Sequence, residues 1–168
     1  MNSEEVLSQL CDVIGTDSVI TDNKEREYFS MDVFDIDEIA DLVIQPNSKD
    51  QISDALKILS KSDYEIIPRG GGMSYTGGYT PSTKRSVIID ISLLNQIIEI
   101  NPDDMYITVE AGCTWKTIYE ALKPMGLRLP FFGTNSGSMA TVGGGLSNGA
   151  LFFGTGKYGS AADNVLGM

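Results

Sequence analysis

Fourteen of the chain's eighteen glycines lie in two short stretches, residues 70–78 and 133–159. The first reads Pro68-Arg69-Gly70-Gly71-Gly72-Met73-Ser74-Tyr75-Thr76-Gly77-Gly78. The second centres on Thr141-Val142-Gly143-Gly144-Gly145 and runs to Lys157-Tyr158-Gly159. Glycine lets the backbone take φ > 0 and come close to a neighbour. A run of main-chain N–H groups without side chains in the way suits an anion. The first stretch follows an apolar strand, and open α/β sheets place ligands beyond the carboxyl ends of their strands. Together these features point to a large phosphate-bearing cofactor.

The segments around the loops are readable from local rules. Asn2 and Glu5 form a capping box, and Val6, Leu10 and Ile14 share one helical face up to Gly15. Asp22 with Glu25 opens a shorter helix before Tyr28 and Phe29. Residues 41–45, with Leu42-Val43-Ile44, read as a short buried strand closed by Pro46. Ser48 and Gln51 form another capping box, before a helix with Ile52, Ala55, Leu56 and Leu59 at i, i+3, i+4 and i+7. Residues 64–68 are a second strand, so strand, helix and strand form a βαβ unit with parallel strands. Val87–Ile91 is a third apolar strand. After a turn at 101–104, residues 105–110 alternate Met105, Ile107 and Val109 against Tyr106, Thr108 and Glu110, the pattern of a half-buried strand. Thr114 caps a helix carrying Trp115, Ile118, Tyr119 and Leu122, ended by Pro124 and Gly126. From Leu129 little periodicity survives until Val165-Leu166.

Composition narrows the function. At 168 residues the chain is one ordinary domain or part of a larger one. Hydrophobic residues make up 42 %, enough for a core. A net charge of −11 disfavours nucleic acid, whose phosphates need clustered Lys and Arg. No apolar run approaches the roughly 20 residues of a membrane helix, and the acidic N-terminus lacks the order of a secretory signal. Cys11 and Cys113 are too few for a disulfide framework and fit a reducing cytoplasm as buried hydrophobes. The chain has no histidine, which removes the commonest metal ligand and the commonest general base. Any acid–base residue of an enzyme is then expected outside this chain.

Two literal motifs fail on context. Gly154-x-Gly156-x-x-Gly159 matches the dinucleotide fingerprint, but the required helix and the acidic residue about 20 positions on do not follow. Gly156-Lys157 suggests a phosphate loop, but Leu151 stands where its first glycine belongs and Tyr158 where Ser or Thr must be. The Pro68–Gly78 stretch is more specific. Three consecutive glycines expose three N–H groups, Ser74 adds a hydroxyl and Arg69 is the nearby cation. Hydrogen bonds to a charged group contribute roughly 1.5–3 kcal/mol each. A tight exposed turn with no ligand would use the same glycines.

Read together, the segments resemble one family collinearly over residues 14–168. They are Ile14–Asp22, Tyr28–Asp32, Val43–Pro46, Pro68–Gly72, Val109–Gly112, Gly126–Pro130, Thr141–Gly144, Tyr158-Gly159 and Asn164–Gly167. The family is the FAD-linked oxidoreductases related to vanillyl-alcohol oxidase and p-cresol methylhydroxylase. Within it the chain is most similar to D-lactate dehydrogenases and the FAD subunit of glycolate oxidase. The resemblance implies an α/β (α+β) fold. Residues 1–100 would be a small parallel-strand lobe with flanking helices, carrying the pyrophosphate loop 68–78. Residues 101–168 would begin a second α+β lobe, which reads as truncated. It implies FAD as cofactor, a small-molecule hydroxy acid or alcohol as substrate of the intact protein, and hydride transfer to the flavin.

The family pattern also implies site residues. Gly70, Gly71, Gly72, Met73 and Ser74 would hold the pyrophosphate, with Arg69 mostly shaping the loop. Thr141, Val142, Gly143 and Gly144 would pass close to the flavin end. Gly133, Thr134 and Ser138 would line the cofactor near its ribityl chain. Asn148 and Gly159, with Tyr158, would contact the cofactor or close the loop. Berberine-bridge-type relatives attach FAD to a histidine where Met73 stands and to a cysteine that would fall within 134–138. Neither is present here, so FAD is expected to be non-covalent. No catalytic residue and no metal ligand is assigned. An open strand at Val165-Leu166 would favour self-association or a second chain. The alternative is a non-catalytic remnant that binds FAD weakly or not at all. A third reading, the reductase acting on UDP-N-acetylenolpyruvylglucosamine, shares the Thr-Val-Gly-Gly loop but lacks the match at 14–46.

Overall fold

The computed structural model describes residues 1–34, 37–130 and 136–168. The chain divides into two compact units, Met1–Leu94 and Asn95–Met168.

The first unit is a four-stranded sheet covered on both faces. Its elements are α1 (Ser3–Ile14), β1 (Val19–Ile20), α2 (Asn23–Ser30), β2 (Leu42–Ile44), α3 (Lys49–Leu59), β3 (Glu65–Arg69) and β4 (Ser86–Asp90). The first two capping signals operate as read. Asn2 and Glu5 form a reciprocal capping box, and Asp22 accepts from the N–H groups of Lys24 and Glu25. Ser48 accepts from Gln51 N, but the Gln51 side chain accepts from Asn47 N, so the second box is displaced by one residue. In α3 the buried face is Ala55, Ile58 and Leu59, while Leu56 is exposed, because the helix rests on α1 and the sheet along that stripe.

The strand order is β1-β2-β4-β3. β2 and β3 are parallel, as the βαβ reading requires, yet β4 lies between them and pairs with both. β4 is buried along its whole length, which explains its unbroken apolar run. β3 is an edge strand, the place in a sheet that tolerates Pro68. Successive residues serve opposite faces. Leu42, Ile44, Val87 and Ile89 pack with Val6, Leu10, Ile14, Ala55 and Leu59. Val43, Ile67 and Ile88 pack with Ala40, Tyr79 and Phe29.

The second unit contains β5 (Ile97–Asn101), β6 (Tyr106–Val109), α4 (Trp115–Leu122), α5 (Val142–Ser147) and the single-turn α6 (Thr155–Tyr158). β5 and β6 form an antiparallel hairpin. Met105 belongs to its turn at φ 58 and is 70 % exposed, so the half-buried pattern starts at Tyr106. Thr114 caps α4 by accepting from Thr117 N. Trp115, Ile118 and Leu122 enter a core with Cys113, Phe152 and Ala161, whereas Tyr119 is exposed. α5 was not expected among the glycines. Val165 and Leu166 form no strand, since extended backbone becomes a strand only by pairing, and Leu166 is exposed. The α/β fold is as read.

Candidate functional site

The first glycine stretch starts where β3 ends. Gly70 to Ser74 are half-buried, and Tyr75 to Gly78 are exposed. Among the described residues, the N–H groups of Gly70, Gly71, Gly72, Met73 and Ser74 donate no hydrogen bond. Main-chain donors buried away from water are nearly always paired, and those on half-buried residues such as these can meet solvent or a ligand. Successive N–H groups without a protein partner are a donor set that can receive anionic oxygens. Of the three consecutive glycines only Gly72 has positive φ, at +67°.

The loop is pinned from several sides. The buried Asp32 carboxylate accepts from Phe34 N at 2.7 Å and from Gly77 N at 3.0 Å. Val33 N donates to Ser74 O at 3.2 Å. The Tyr79 hydroxyl lies 2.9 Å from both Met31 O and Gly72 O, and its one proton serves one carbonyl at a time. Burial raises the Tyr79 pKa above the ordinary phenol value, which keeps that donor protonated. Ser74 Oγ sits 3.2 Å from Thr76 Oγ1 and accepts from Thr76 N. Arg69 is buried beside Asp90. Sequence reasoning missed Asp32 and Tyr79 as supports of the loop. For Asp32 the signal was present in Tyr28–Asp32, which the resemblance singled out without assigning a role.

The second stretch has different chemistry. Thr141 is buried, caps α5 by accepting from Gly144 N at 3.2 Å, and pairs across a β-bridge with Thr114. Val142 N donates to Cys113 O, Gly143 N to Ala111 O and Gly145 N to Thr141 O. The donors of Val142, Gly143 and Gly144 are thus all used internally. The glycines also have protein neighbours. A Cβ on Gly143 would lie 2.9 Å from both Ala111 Cβ and Ala111 O. A Cβ on Gly145 would lie 2.9 Å from the Trp115 ring. Close packing within this unit therefore requires small residues at 143 and 145.

The remaining candidates are dispersed. Ser138 and Asn148 are exposed, and Asn148 ends α5. Gly159, at φ +82°, makes room for Asp163, which accepts from Ser160 N and Oγ. Gly133 and Thr134 lie outside the described residues. Tyr158 faces Lys157 Nζ at 4.8 Å and Arg128 Cζ at 6.0 Å, and these cations, Lys157 first, hold its phenol below the ordinary value. It lines a cavity of about 290 Å³ with Ile100, Ile107, Leu122, Leu129 and Arg128. Burial pushes the Cys113 thiol up, away from nucleophilic chemistry. Among the described residues no helix is long and apolar enough to cross a membrane.

Comparison with known proteins identifies the family. The family model described as FAD binding domain matches residues 40–168. Mitochondrial D-lactate dehydrogenase [cytochrome] of Kluyveromyces lactis is 31 % identical over 143 residues, covering 84 % of this chain and 24 % of that protein. Glycolate oxidase subunit GlcD of Bacillus subtilis is 30 % identical over 171 residues, covering 100 % of this chain and 36 % of that protein. The chain thus spans about a quarter to a third of these relatives. Among solved structures, alkyldihydroxyacetonephosphate synthase superposes with a TM-score of 0.87 at 20 % identity, covering 99 % of this chain and 36 % of that one. p-Cresol methylhydroxylase superposes at 0.77 and 18 %, covering 88 % and 30 %. The chain belongs to the FAD binding domain family, with FAD as its cofactor.

Proposed function

We infer that the chain binds FAD non-covalently, with the backbone of Gly70–Ser74 receiving the pyrophosphate, as a domain of an oxidoreductase acting on a hydroxy acid or alcohol. The observation that carries this is the set of five unpaired N–H groups after β3. In the second unit the family resemblance assigns Thr141, Val142, Gly143 and Gly144 to the flavin, with Gly133, Thr134, Ser138, Asn148 and Gly159 along the cofactor. Since the N–H groups of 142–144 are used internally, that segment would present backbone surface and not donors. When bound, FAD supplies the electron-accepting chemistry. The residues of this chain bind and orient it. The substrate class follows the relatives named D-lactate dehydrogenase and glycolate oxidase. By the family resemblance, Met73 stands where berberine-bridge-type relatives carry the attaching histidine, which supports non-covalent binding. The thiols Cys11 and Cys113 are free, which suits a reducing compartment such as the cytoplasm.

The test is titration of the purified chain with FAD, followed by isothermal calorimetry and by the flavin absorption spectrum. Saturable one-to-one binding supports the reading. Absence of binding favours the alternative of a domain with a crippled FAD site. Competition by ADP and not by adenosine locates the contribution of the phosphates.

A further inference from the structure

The arginine that opens the phosphate loop is turned into the protein. Arg69 ends β3 opposite Asp90 at the end of β4. Arg69 is 7 % exposed and Asp90 1 %. Arg69 Nη1 lies 3.6 Å from Asp90 Oδ1 and 3.5 Å from Gly70 O. Asp90 Oδ2 is held in turn by Gln45 Nε2 at 2.7 Å and by the Ser92 hydroxyl at 2.8 Å. The rings of Phe29, Tyr79 and Tyr28 surround the guanidinium, with Cζ 4.9, 5.3 and 5.6 Å from their centroids. Arg69 Nε is buried with no partner. A Cβ on Gly72 would collide with Arg69 Nη2 and lie 2.8 Å from Cζ. The guanidinium thus fills the volume that a side chain at position 72 would take.

Two consequences follow. The charge of Arg69 is opposed by Asp90 and faced by three rings, so an anion on the loop meets neutral N–H dipoles. The Gly72 backbone rests against the guanidinium and cannot move inward without displacing it. We propose that Arg69 and Asp90 are a positioning pair that holds the Gly70–Ser74 backbone open as an anion cradle, neither of them touching the bound phosphate. The proposal rests on the FAD reading above and adds to it the device that shapes the loop.

The experiment titrates FAD, and separately inorganic pyrophosphate, into the 168-residue chain over a range of salt concentrations. The variants are Arg69→Lys, Arg69→Met, Asp90→Asn, Gly72→Ala and the double change Arg69→Met with Gly72→Ala. Asp90→Asn separates the two roles by sign. An arginine acting as a phosphate ligand, once released from Asp90, would bind more tightly and with a steeper salt dependence. A positioning pair predicts binding weakened about tenfold with the wild-type salt dependence, the scale of losing one charge-assisted contact. Arg69→Lys keeps the charge but lacks the planar fork that stacks on rings, so it does not restore affinity. Gly72→Ala costs less affinity in the Arg69→Met background than alone, because the colliding group is gone. Tighter binding by Asp90→Asn, a flattened salt dependence in Arg69→Met, or strict additivity of the double change overturns the proposal. If Arg69→Met does not fold, Asp90→Asn and Arg69→Lys decide it. If the wild type binds neither probe, the FAD reading has failed, and the pair is judged without ligand by amide NMR. Asp90→Asn must then move the Gly70, Gly71 and Gly72 signals and leave Gly126 and Gly149 in place. Unmoved loop signals refute the pair.

Discussion

Replacing Gly143 by alanine sets two effects of opposite sign against each other. Gly143 lies in the first turn of α5, where alanine gains at most about 1 kcal/mol of helix propensity. Against this, the new Cβ would stand 2.9 Å from Ala111 Cβ and from Ala111 O, and one of those atoms is backbone that cannot rotate away. Forcing a methyl into a packed contact costs about 1–3 kcal/mol. The same shift strains the bond from Gly143 N to Ala111 O, now 2.8 Å, a contribution of about 0.5–1.5 kcal/mol. The sum is a net destabilisation of about 0.5–3.5 kcal/mol, with a melting point lower by about 2–4 °C per kcal/mol for a chain of this size. The control is Gly156→Ala in α6, where a Cβ meets nothing within 4 Å, and stability should hold or rise slightly. Urea unfolding of the FAD-free chain reads both variants. A Gly143→Ala variant as stable as the wild type would falsify the packing argument. Intact stability with abolished FAD affinity would show that the glycine serves the flavin and not Ala111.

Gly71→Val should abolish FAD binding while Lys61→Ala leaves it unchanged. Gly71 does not have positive φ, so the valine tests close backbone approach alone, and equal affinities by calorimetry refute it. FAD should leave the polypeptide on acid precipitation, and flavin fluorescence in the washed pellet would show a covalent link. The alkaline limb of stability should depend on Tyr64 and Tyr79, whose phenols are raised above the value of 10.0 chiefly by burial. Their folded pKa exceeds the unfolded one, so their contribution is complete below about pH 10 and is lost as pH rises through the folded value. Tyr64, which donates to Asp41 at 2.7 Å, and Tyr79 can each be changed to Phe. Denaturation midpoints from pH 7 to 11 should then fall less steeply than in the wild type, and an unchanged slope would contradict the assignment.

The helices were legible because their signals are local. Asn2, Asp22, Ser48 and Thr114 each lie within three residues of the N–H they satisfy. The two-residue β1 was not legible, since Val19 and Ile20 become a strand only by facing Ile44 and Val43. β5 escaped for a related reason, because Ile97–Asn101 lacks clean alternation and is defined by β6. α5 carries three glycines that argue against helix. It forms because Thr141 caps it and Ala111 O and Cys113 O tie down its first N–H groups. A Thr before Val142 and Leu146, four apart, was the signal available. At the candidate site the run of unpartnered N–H groups after β3 falls on the glycine stretch that the sequence singles out. The turning of Arg69 could not, because its three rings come from α2 and from beyond the loop, and its carboxylate from β4.

The placement of β4 between β2 and β3 sets an order of assembly. β3 has one neighbour in the sheet, and that neighbour is the last strand of the first unit to leave the ribosome. Until residues 86–90 insert, β3 has nothing to pair with and Arg69 has no carboxylate to face. The glycine loop must therefore wait for a segment made after it, and closing that gap carries the entropic cost of a non-local contact. A ligand that grips the loop captures a sheet already complete. With the loop as the proposed pyrophosphate site, cofactor capture would act late, as a lock on a finished unit and not as a nucleus for building it.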